Sequence, residues 1–460
     1  TGCYMSIEYI IPTLKTKLPY YKKIDDLSGG AVKVKEAGKT YLPEESGESD
    51  LSYKSRLSKA TYFDTFNSTV DGLSGLIFKK PITYSEDIPT QLEPMIENAD
   101  AQGNHMDVLI EKFFVKALQK GISFALIDSP KAVDVKTKAD EQAQGIKPYI
   151  TIINAENVTS WKTTTVNGQL ILSQVKIREF IQVDDETNPY ETKTIEQYRV
   201  LEIGTYQIWQ NKEGKDILIE EGTTNLNFIP LVALNLENDE YFSAMPPFMD
   251  LAELNIAHYQ IFSDSRHSAH IASVPMLKMF GFDAEELKSI VISANRAVTS
   301  TNTDATVEWL DYKGDGVAVN ETLLAKIETK MREMGLSVIS QDKTLTATEV
   351  NISSAQSQSK LNGYVRALID SVELIFQMAA RMYGVEDGGS IYIDADILTQ
   401  PLQPADVLAL NTMVVSGNMS IDTMFKIIAS GSFRLGDDFD IEVEKETISK
   451  DGLLTNDTER

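Results

Sequence analysis

Two hydrophobic periods alternate along the chain, and their order divides it into segments before any chemistry is considered. Residues 1–50 show little periodic pattern and read as a tail, with a short strand signal at Ala31-Val32-Lys33-Val34 just after Gly29-Gly30. Over 52–79 the apolar residues Leu57, Phe66, Val70, Leu73 and Ile77 share one helical stripe that Pro81 stops. A second helix is predicted over 106–120, ended by Gly121 and running into a strand, Ile122–Ile127. Residues 130–147, rich in Lys, Asp and Gln, read as a surface insertion.

From 149 to 235 the period falls to two. Strands are predicted at Leu170–Glu179, Thr194–Gly204, Tyr206–Asn211 and Asp216–Glu220, followed by Ile229-Pro230-Leu231-Val232. Asn167-Gly168 is a two-residue hairpin signal, because both central positions of that turn need positive φ. The alternation predicts antiparallel pairing with one wet face.

Helical spacing returns at Pro246, with Pro247 suited to a first helical position and Leu251, Leu254, His258, Ile261 and Phe262 recurring up to Ser273. Pro275 forbids continuation. A short apolar connector, Met276–Phe282, then leads to a helix expected at 284–296, a strand at Thr306–Tyr312 and a turn at Gly314-Asp315-Gly316. Asn320 is expected to cap a helix with the stripe Leu323, Ile327, Met331 and Met334, ending at Gly335. The clearest helix opens on the capping box Thr346-Ala347-Thr348-Glu349, carries Leu361, Val365, Leu368, Val372, Ile375, Ala379 and Met382, and stops at Gly384. At 1.5 Å per residue it would be about 55 Å long. Its first half, Ser353-Ser354-Ala355-Gln356-Ser357-Gln358-Ser359, is small and polar, which fits solvent or a neighbouring subunit. The tail 386–460 holds fifteen Asp/Glu against five Lys/Arg and a helix pair, Pro404–Ser416 and Ser420–Ser430. The fold class is therefore α+β.

Composition narrows the partners. With 460 residues and 42% hydrophobic content the chain can bury a sizeable core in more than one unit. A net charge of −25 is the opposite of what gripping nucleic acid by counterion release requires, so a repressor or nuclease is disfavoured and loose, sliding contact with DNA is allowed. The single cysteine, Cys3, excludes an internal disulfide. No apolar run approaches the roughly 18–20 residues that span a bilayer, so no membrane partner is expected. Tyr9-Ile10-Ile11 is cut by Pro12 and followed by the basic-aromatic patch Lys15, Lys17, Tyr20, Tyr21, Lys22 and Lys23, unlike a signal sequence. Met5 is a candidate native start.

Candidate chemistry is sparse. Gly38-Lys39-Thr40 resembles the end of a phosphate-binding loop, but Lys33 stands where the glycine is needed and Pro43 would disturb the following helix. Asp264, His267 and His270 have ligand spacing on one helix, yet no helical His-Glu-x-x-His occurs and the remaining histidines are only His105 and His258. A structural role is favoured, with a metal-dependent hydrolase as the alternative. Asp437, Asp438, Asp440, Glu442, Glu444 and Glu446 alternate with Phe439, Ile441 and Val443, which fits an acidic edge strand better than a metal site. No catalytic residue, metal or cofactor is expected.

One ordered set of residues resembles a family. Tyr41-Leu42-Pro43, then Arg56, Tyr62, Asn67, Val70, Leu73, Gly75, Phe78, Lys80 and Pro81, are similar to the N-terminal helix pattern of tailed-bacteriophage portal proteins. Pro148-Tyr149, Trp161, Tyr198-Arg199-Val200-Leu201 and Ile229-Pro230-Leu231-Val232 resemble its strand region. The most specific stretch is Asp250-Leu251-Ala252-Glu253-Leu254-Asn255-Ile256-Ala257-His258-Tyr259-Gln260, continuing through Ser263-Asp264 to Pro275. Thr346–Glu349 and Ser420-Ile421-Asp422-Thr423 follow in order, so the likeness spans about 40–450 and is nearest a branch known as an uncharacterised domain. The resemblance implies a portal fold: an α/β wing over 51–245 after the tail, stem helices over 246–297, a return with channel loop and long spine helix over 298–385, and a crown-like region over 386–460. It implies a ring, expected to be a dodecamer, at one capsid vertex of a virion assembled in the host cytoplasm. Double-stranded DNA would pass through it. The terminase large subunit, a head–tail adaptor and the major capsid protein would be its partners. Another head–tail ring protein, such as an adaptor, is the alternative; an acidic nucleic-acid mimic or scaffold is disfavoured by the apolar periodicity. The stem pair would be 247–273 with 284–296, and the clip, near 274–283, would offer Lys278, Met279, Phe280, Phe282 and Asp283 for docking. The channel loop 336–346 would present Ser340, Gln341, Asp342, Lys343 and Thr344 to DNA, and Ser353, Gln356, Ser357 and Lys360 would face a neighbouring subunit.

Overall fold

The computed structural model describes residues 6–130, 147–185, 187–188, 190–224, 226–237, 240–273, 276–290, 298–310, 315–335, 347–393, 404–417, 419–421, 423–425 and 443. Contacts divide the chain into one unit ending at Ile393 and a second beginning at Asp394.

The expected N-terminal tail is instead part of the core. Helix α1 (Pro12–Ser28) buries Leu14, Tyr21, Ile24 and Leu27, and the Tyr21 hydroxyl donates to the Ala244 carbonyl at 2.7 Å. Its helical spacing is obscured in sequence by interspersed lysines and by Pro19, which sits exposed within the helix. The segment expected as a strand forms α2 (Gly30–Glu36), in which Val34 is buried and Val32 faces solvent. Two valines two apart share one face of a strand but fall on different faces of a helix, where only one of them finds a cover. Gly38–Thr40 is a tight 3₁₀ turn, with Lys39 pairing with Glu44 at 2.5 Å.

The helix expected over 52–79 is two, α3 (Asp50–Lys59) and α4 (Thr65–Ile77), each with its own N-cap, Ser49 and Asp64. On α4 the anticipated Phe66, Val70, Leu73 and Ile77 are buried. The short β1 (Thr83–Tyr84) and α5 (Glu93–Glu97) precede α6 (Met106–Lys120), which matches its predicted bounds. Gly121 ends it at φ +83°, and a Cβ there would lie 2.3 Å from the Met245 carbonyl oxygen. That position therefore needs glycine twice over, for its dihedral and for its contact.

Strand β2 (Ile122–Asp128) follows at once and is the centre of a three-stranded antiparallel sheet, between β3 (Tyr149–Ile153) and β9 (Leu231–Asn235). Between these two outer strands runs a five-stranded meander: β4 (Val158–Val166), β5 (Gln169–Asp184), β6 (Thr192–Glu202), β7 (Thr205–Lys212) and β8 (Lys215–Thr223). Asn167 and Gly168 turn β4 into β5 with φ +52° and +80°, as the dipeptide predicts. Leu172, Val175, Ile177 and Leu201 of the meander join Phe124, Leu126, Ile153 and Phe242 in one core cluster. Residues 7–11 cross the meander: Ile7 N–H donates to Asp216 at 2.7 Å, Ile11 N–H to the Thr159 carbonyl at 2.9 Å, and buried Lys176 donates to the Ile7 and Tyr9 carbonyls. Burial pushes the Lys176 ammonium down to about 8.

The remaining elements of the first unit are α7 (Met249–Ser273), β10 (Met276–Phe280), α8 (Ala284–Ser289), β11 (Thr306–Leu310), α9 (Asp315–Gly335), α10 (Ala347–Met382) and β12 (Ile391–Tyr392), which pairs with β1. Helix α10 buries Leu361, Val365, Leu368, Val372, Ile375 and Ala379, the anticipated stripe, and Gly384 follows it at φ +75°. In the second unit α11 (Pro404–Val415) falls where a helix was expected. Of the second helix expected there, residues 421 and 423–425 are described and helical. The acidic alternation of 437–446 lies outside the described residues except Val443. No helix among the described residues is long and apolar enough to cross a membrane.

Candidate functional site

The motif residues separated by two hundred positions in sequence meet where α7 crosses α3 and α4. Asn255, fully buried on α7, accepts the Phe66 N–H at 3.1 Å and donates to the Phe63 carbonyl at 2.7 Å, so it satisfies the backbone at the start of α4. The Tyr62 hydroxyl reaches the same amide at 3.4 Å, and its ring meets Tyr259 edge-on. Farther along, Arg56 binds Glu48 through two nitrogens at 2.7 and 3.0 Å, the Pro43 carbonyl at 2.6 Å and Asp264 at 3.2 Å. The Arg56 guanidinium holds the Glu48 carboxyl below its ordinary range, while burial pushes Asp264 up despite the same cation. Arg266 donates to the Lys59 carbonyl and the Thr61 hydroxyl. These ties fix the direction in which α7 leaves the core.

The partner of α7 differs from the one expected. Among the described residues of 284–296, α8 covers only Ala284–Ser289, and Ile290 turns extended at ψ 121°. The long helix packed on α7 is α9. His258 Nε2 lies 3.1 Å from Glu328, and Met334 lines the same cavity as Leu251, so α9 runs back along α7 in the opposite direction. Helix α9 already begins at Asp315, where a turn was expected, and Asn320 lies within it instead of capping it. Its stripe also shifts: Leu324 and Met331 are buried, whereas Leu323 and Met334 are exposed.

Between α7 and α9 the chain makes an excursion. Strands β10 and β11 form an antiparallel ribbon in which Leu277 faces Trp309, Lys278 faces Glu308 and Met279 faces Val307. Opposed residues share a face, so Leu277, Met279, Val307 and Trp309 make one wholly apolar face, with Trp309 56% exposed. On the other face Lys278 lies 3.7 Å from Glu308 and over the Phe280 ring. Beyond the ribbon, Glu286 closes the excursion by accepting from Thr301 N–H and hydroxyl at 2.8 Å and from the Ser300 hydroxyl at 2.9 Å. Those hydrogen bonds hold its carboxyl down to about 2.

The anticipated site residues distribute unevenly. Lys278, Met279 and Phe280 lie on β10, Phe282 follows it, and Asp283 caps α8 in a capping box with Glu286. Val307 and Trp309 join this face through a strand that the period at 306–312 signals, but whose pairing with 276–280 no local pattern marks. Ser340, Gln341, Asp342, Lys343 and Thr344 lie outside the described residues. Ser353, Gln356 and Ser357 fall on α10, and Lys360 bonds Glu237 at 3.1 Å within the chain. Asp264 is engaged by Arg56, and among the described residues no three His, Cys, Asp or Glu are grouped to hold a metal ion.

Residues 247–383, the helix pair with its excursion and α10, match the family model described as Domain of unknown function (DUF4055). No curated protein matches the sequence. Two solved structures are similar at 9% identity. One, "Neck of native GTA particle computed with C12 symmetry", has a TM-score of 0.40 over 79% of this chain and 89% of that one. The other, "Virion of native gene transfer agent (GTA) particle", has a TM-score of 0.41 over 86% and 99%. A likeness this distant does not carry their assembly over to this chain.

Proposed function

We propose that the chain is a non-enzymatic subunit of a phage portal ring, the conduit at one capsid vertex through which double-stranded DNA is packaged and ejected. The observation that carries the reading is the antiparallel pair α7–α9 with a β ribbon inserted at its far end, followed by α10. Stem, clip, returning stem and spine occur in that order in the family the sequence resembles. On this reading the stem is α7 with α9, and the clip is the whole excursion 274–314. The ribbon would dock terminase during packaging and a head–tail adaptor afterwards. An isolated two-stranded ribbon is marginal in water, so its apolar face, with Trp309 exposed on it, calls for a partner. Head-to-tail contacts that close give a ring, expected to be a dodecamer held in the virion against the major capsid protein. The net charge of −25 keeps contacts with phosphate brief, as sliding requires.

Electron microscopy of the purified protein tests the proposal: rings with a hole wide enough for duplex DNA are expected, and a stable monomer at high concentration would refute it. Replacing Trp309 by Asp should leave the rings intact and reduce terminase binding. Lys343→Glu should alter DNA packaging more than ring assembly, and the reverse result would remove the channel-loop assignment.

A further inference from the structure

We propose that neighbouring copies join by seating the aliphatic run Ile217-Leu218-Ile219 of β8 in an apolar groove beside α10 of the next copy, with Glu221 meeting Arg381 at the rim. This rests on the ring reading above and specifies its wing contact.

The run lies on the outermost strand of the meander; among the described residues β7 is the only strand paired with β8. All three side chains are 38–46% exposed. A register shift opposite Ile208 and Trp209 leaves Ile219 without a directly opposed residue, so consecutive side chains splay outward. An exposed apolar edge of this kind is a template for another chain.

The receiving surface is a groove of about 570 Å³ lined by Leu170, Leu172, Ile229, Tyr241, Leu374 and Met378. Leu170, Tyr241 and Leu374 stand exposed at its margin. One turn beyond Met378, on the same stripe of α10, Arg381 has an exposed side chain with no ion-pair partner among the described residues. Glu221, two residues beyond Ile219, is likewise exposed and unpaired among them. Glu240 also lines the groove but lies 3.9 Å from Lys17, so Arg381 and Glu221 are left as opposite charges, one on each surface.

The two surfaces cannot meet within one chain. Leu170–Leu172 lie on β5 beyond Gln174, where its pairing with β6 stops, close to the β4–β5 turn, whereas Ile217 and Leu218 lie three strands away towards the β7–β8 turn, with Leu218 level with the Tyr198–Arg178 row. They occupy opposite corners of the sheet. Unlike patches at opposite corners make a heterologous contact that repeats from copy to copy, as a ring requires and a two-fold dimer does not.

The test uses the full chain with Cys3→Ser. Leu218→Cys and Leu374→Cys proteins, mixed and oxidised, should give the mixed disulfide in preference to either homodimer. Leu218→Asp and Leu374→Asp should each lower ring yield at least tenfold with the circular dichroism spectrum unchanged. Glu221→Arg should weaken assembly and Arg381→Glu, added to it, should restore it. If wild-type rings form, yet the mixed disulfide is absent and both aspartate variants assemble normally, the docking is overturned while the ring stands. If the wild type stays monomeric, the ring reading fails first and the docking with it.

Discussion

Replacing Arg56 by alanine measures how firmly α7 is held. The Arg56 and Glu48 side chains are 2% and 5% exposed, so the pair is shielded from water, whereas Asp264 is 42% exposed and its share is screened. Removing one partner of a buried pair costs about 3–5 kcal/mol, because the remaining charge is stranded. Glu48 keeps a backbone donor, the Glu45 N–H at 3.1 Å, which puts the expected loss at the lower end, about 3 kcal/mol. The Pro43 carbonyl also loses its donor. Native-state hydrogen exchange reads the effect locally: amides of α3 and of α7 beyond Ser263 should exchange roughly a hundredfold faster, since each 1.4 kcal/mol is about a factor of ten. Amides of α6 and β2 should be unchanged. The double variant Glu48→Gln with Arg56→Met should recover much of the loss by removing the stranded charge. A change below about 1 kcal/mol, or one spread evenly over the chain, would refute the reasoning. The pH dependence has a definite sign. The Glu48 carboxyl is lowered in the fold, so its contribution is full above the ordinary carboxylate range and is lost as pH falls through the depressed value.

Asn255→Leu should destabilise by about 1–3 kcal/mol, because it leaves the buried Phe66 N–H and the half-buried Phe63 carbonyl without their partner; urea denaturation checks this, and a neutral effect would mean that water replaces the amide. Gly121→Ala should lower thermal stability sharply, since the added Cβ meets the Met245 carbonyl at 2.3 Å in a left-handed backbone. The Glu286 clasp, with its carboxyl lowered to about 2, should persist at pH 5 and open only as pH falls from about 4.5 towards 2. Proteolysis of the excursion by pepsin across that range reads it, and Glu286→Gln should remove the pH step. Lys176 runs the other way: lowered to about 8 in the fold, it disfavours folding while charged, so stability should rise between about pH 8 and 10 and Lys176→Met should flatten that rise in denaturation midpoints.

The motif residues have a common physical reason. Arg56, Tyr62, Asn255, Tyr259 and Asp264 bond or pack across α3, the start of α4 and α7. Asn67 adds a tie from α4 to the end of α1 through the Ser28 carbonyl at 3.0 Å. These members of the resemblance thus meet at one junction, where α7, the first helix of the pair that carries the excursion, is tied to α3 and the start of α4.

What the sequence alone determined was local. Gly121 with its left-handed dihedral, the Asn167-Gly168 turn, the apolar stripe of α10 and the stop at Gly384 are each set by residues within a few positions of one another. Tertiary structure decided which side of an element is covered. Val32 and Val34 could belong to a strand until α1 offered a cover to one of them, and Leu323 gave way to Leu324 because α9 turns the latter inward against its neighbours. The choice of α9 as the partner of α7 depended on a contact seventy residues apart, His258 with Glu328. Strand pairing of 276–280 with 306–310 was equally non-local. Period and capping act within a turn or two of chain, whereas burial is settled only when distant surfaces meet, which is why the elements were more legible than the site they build.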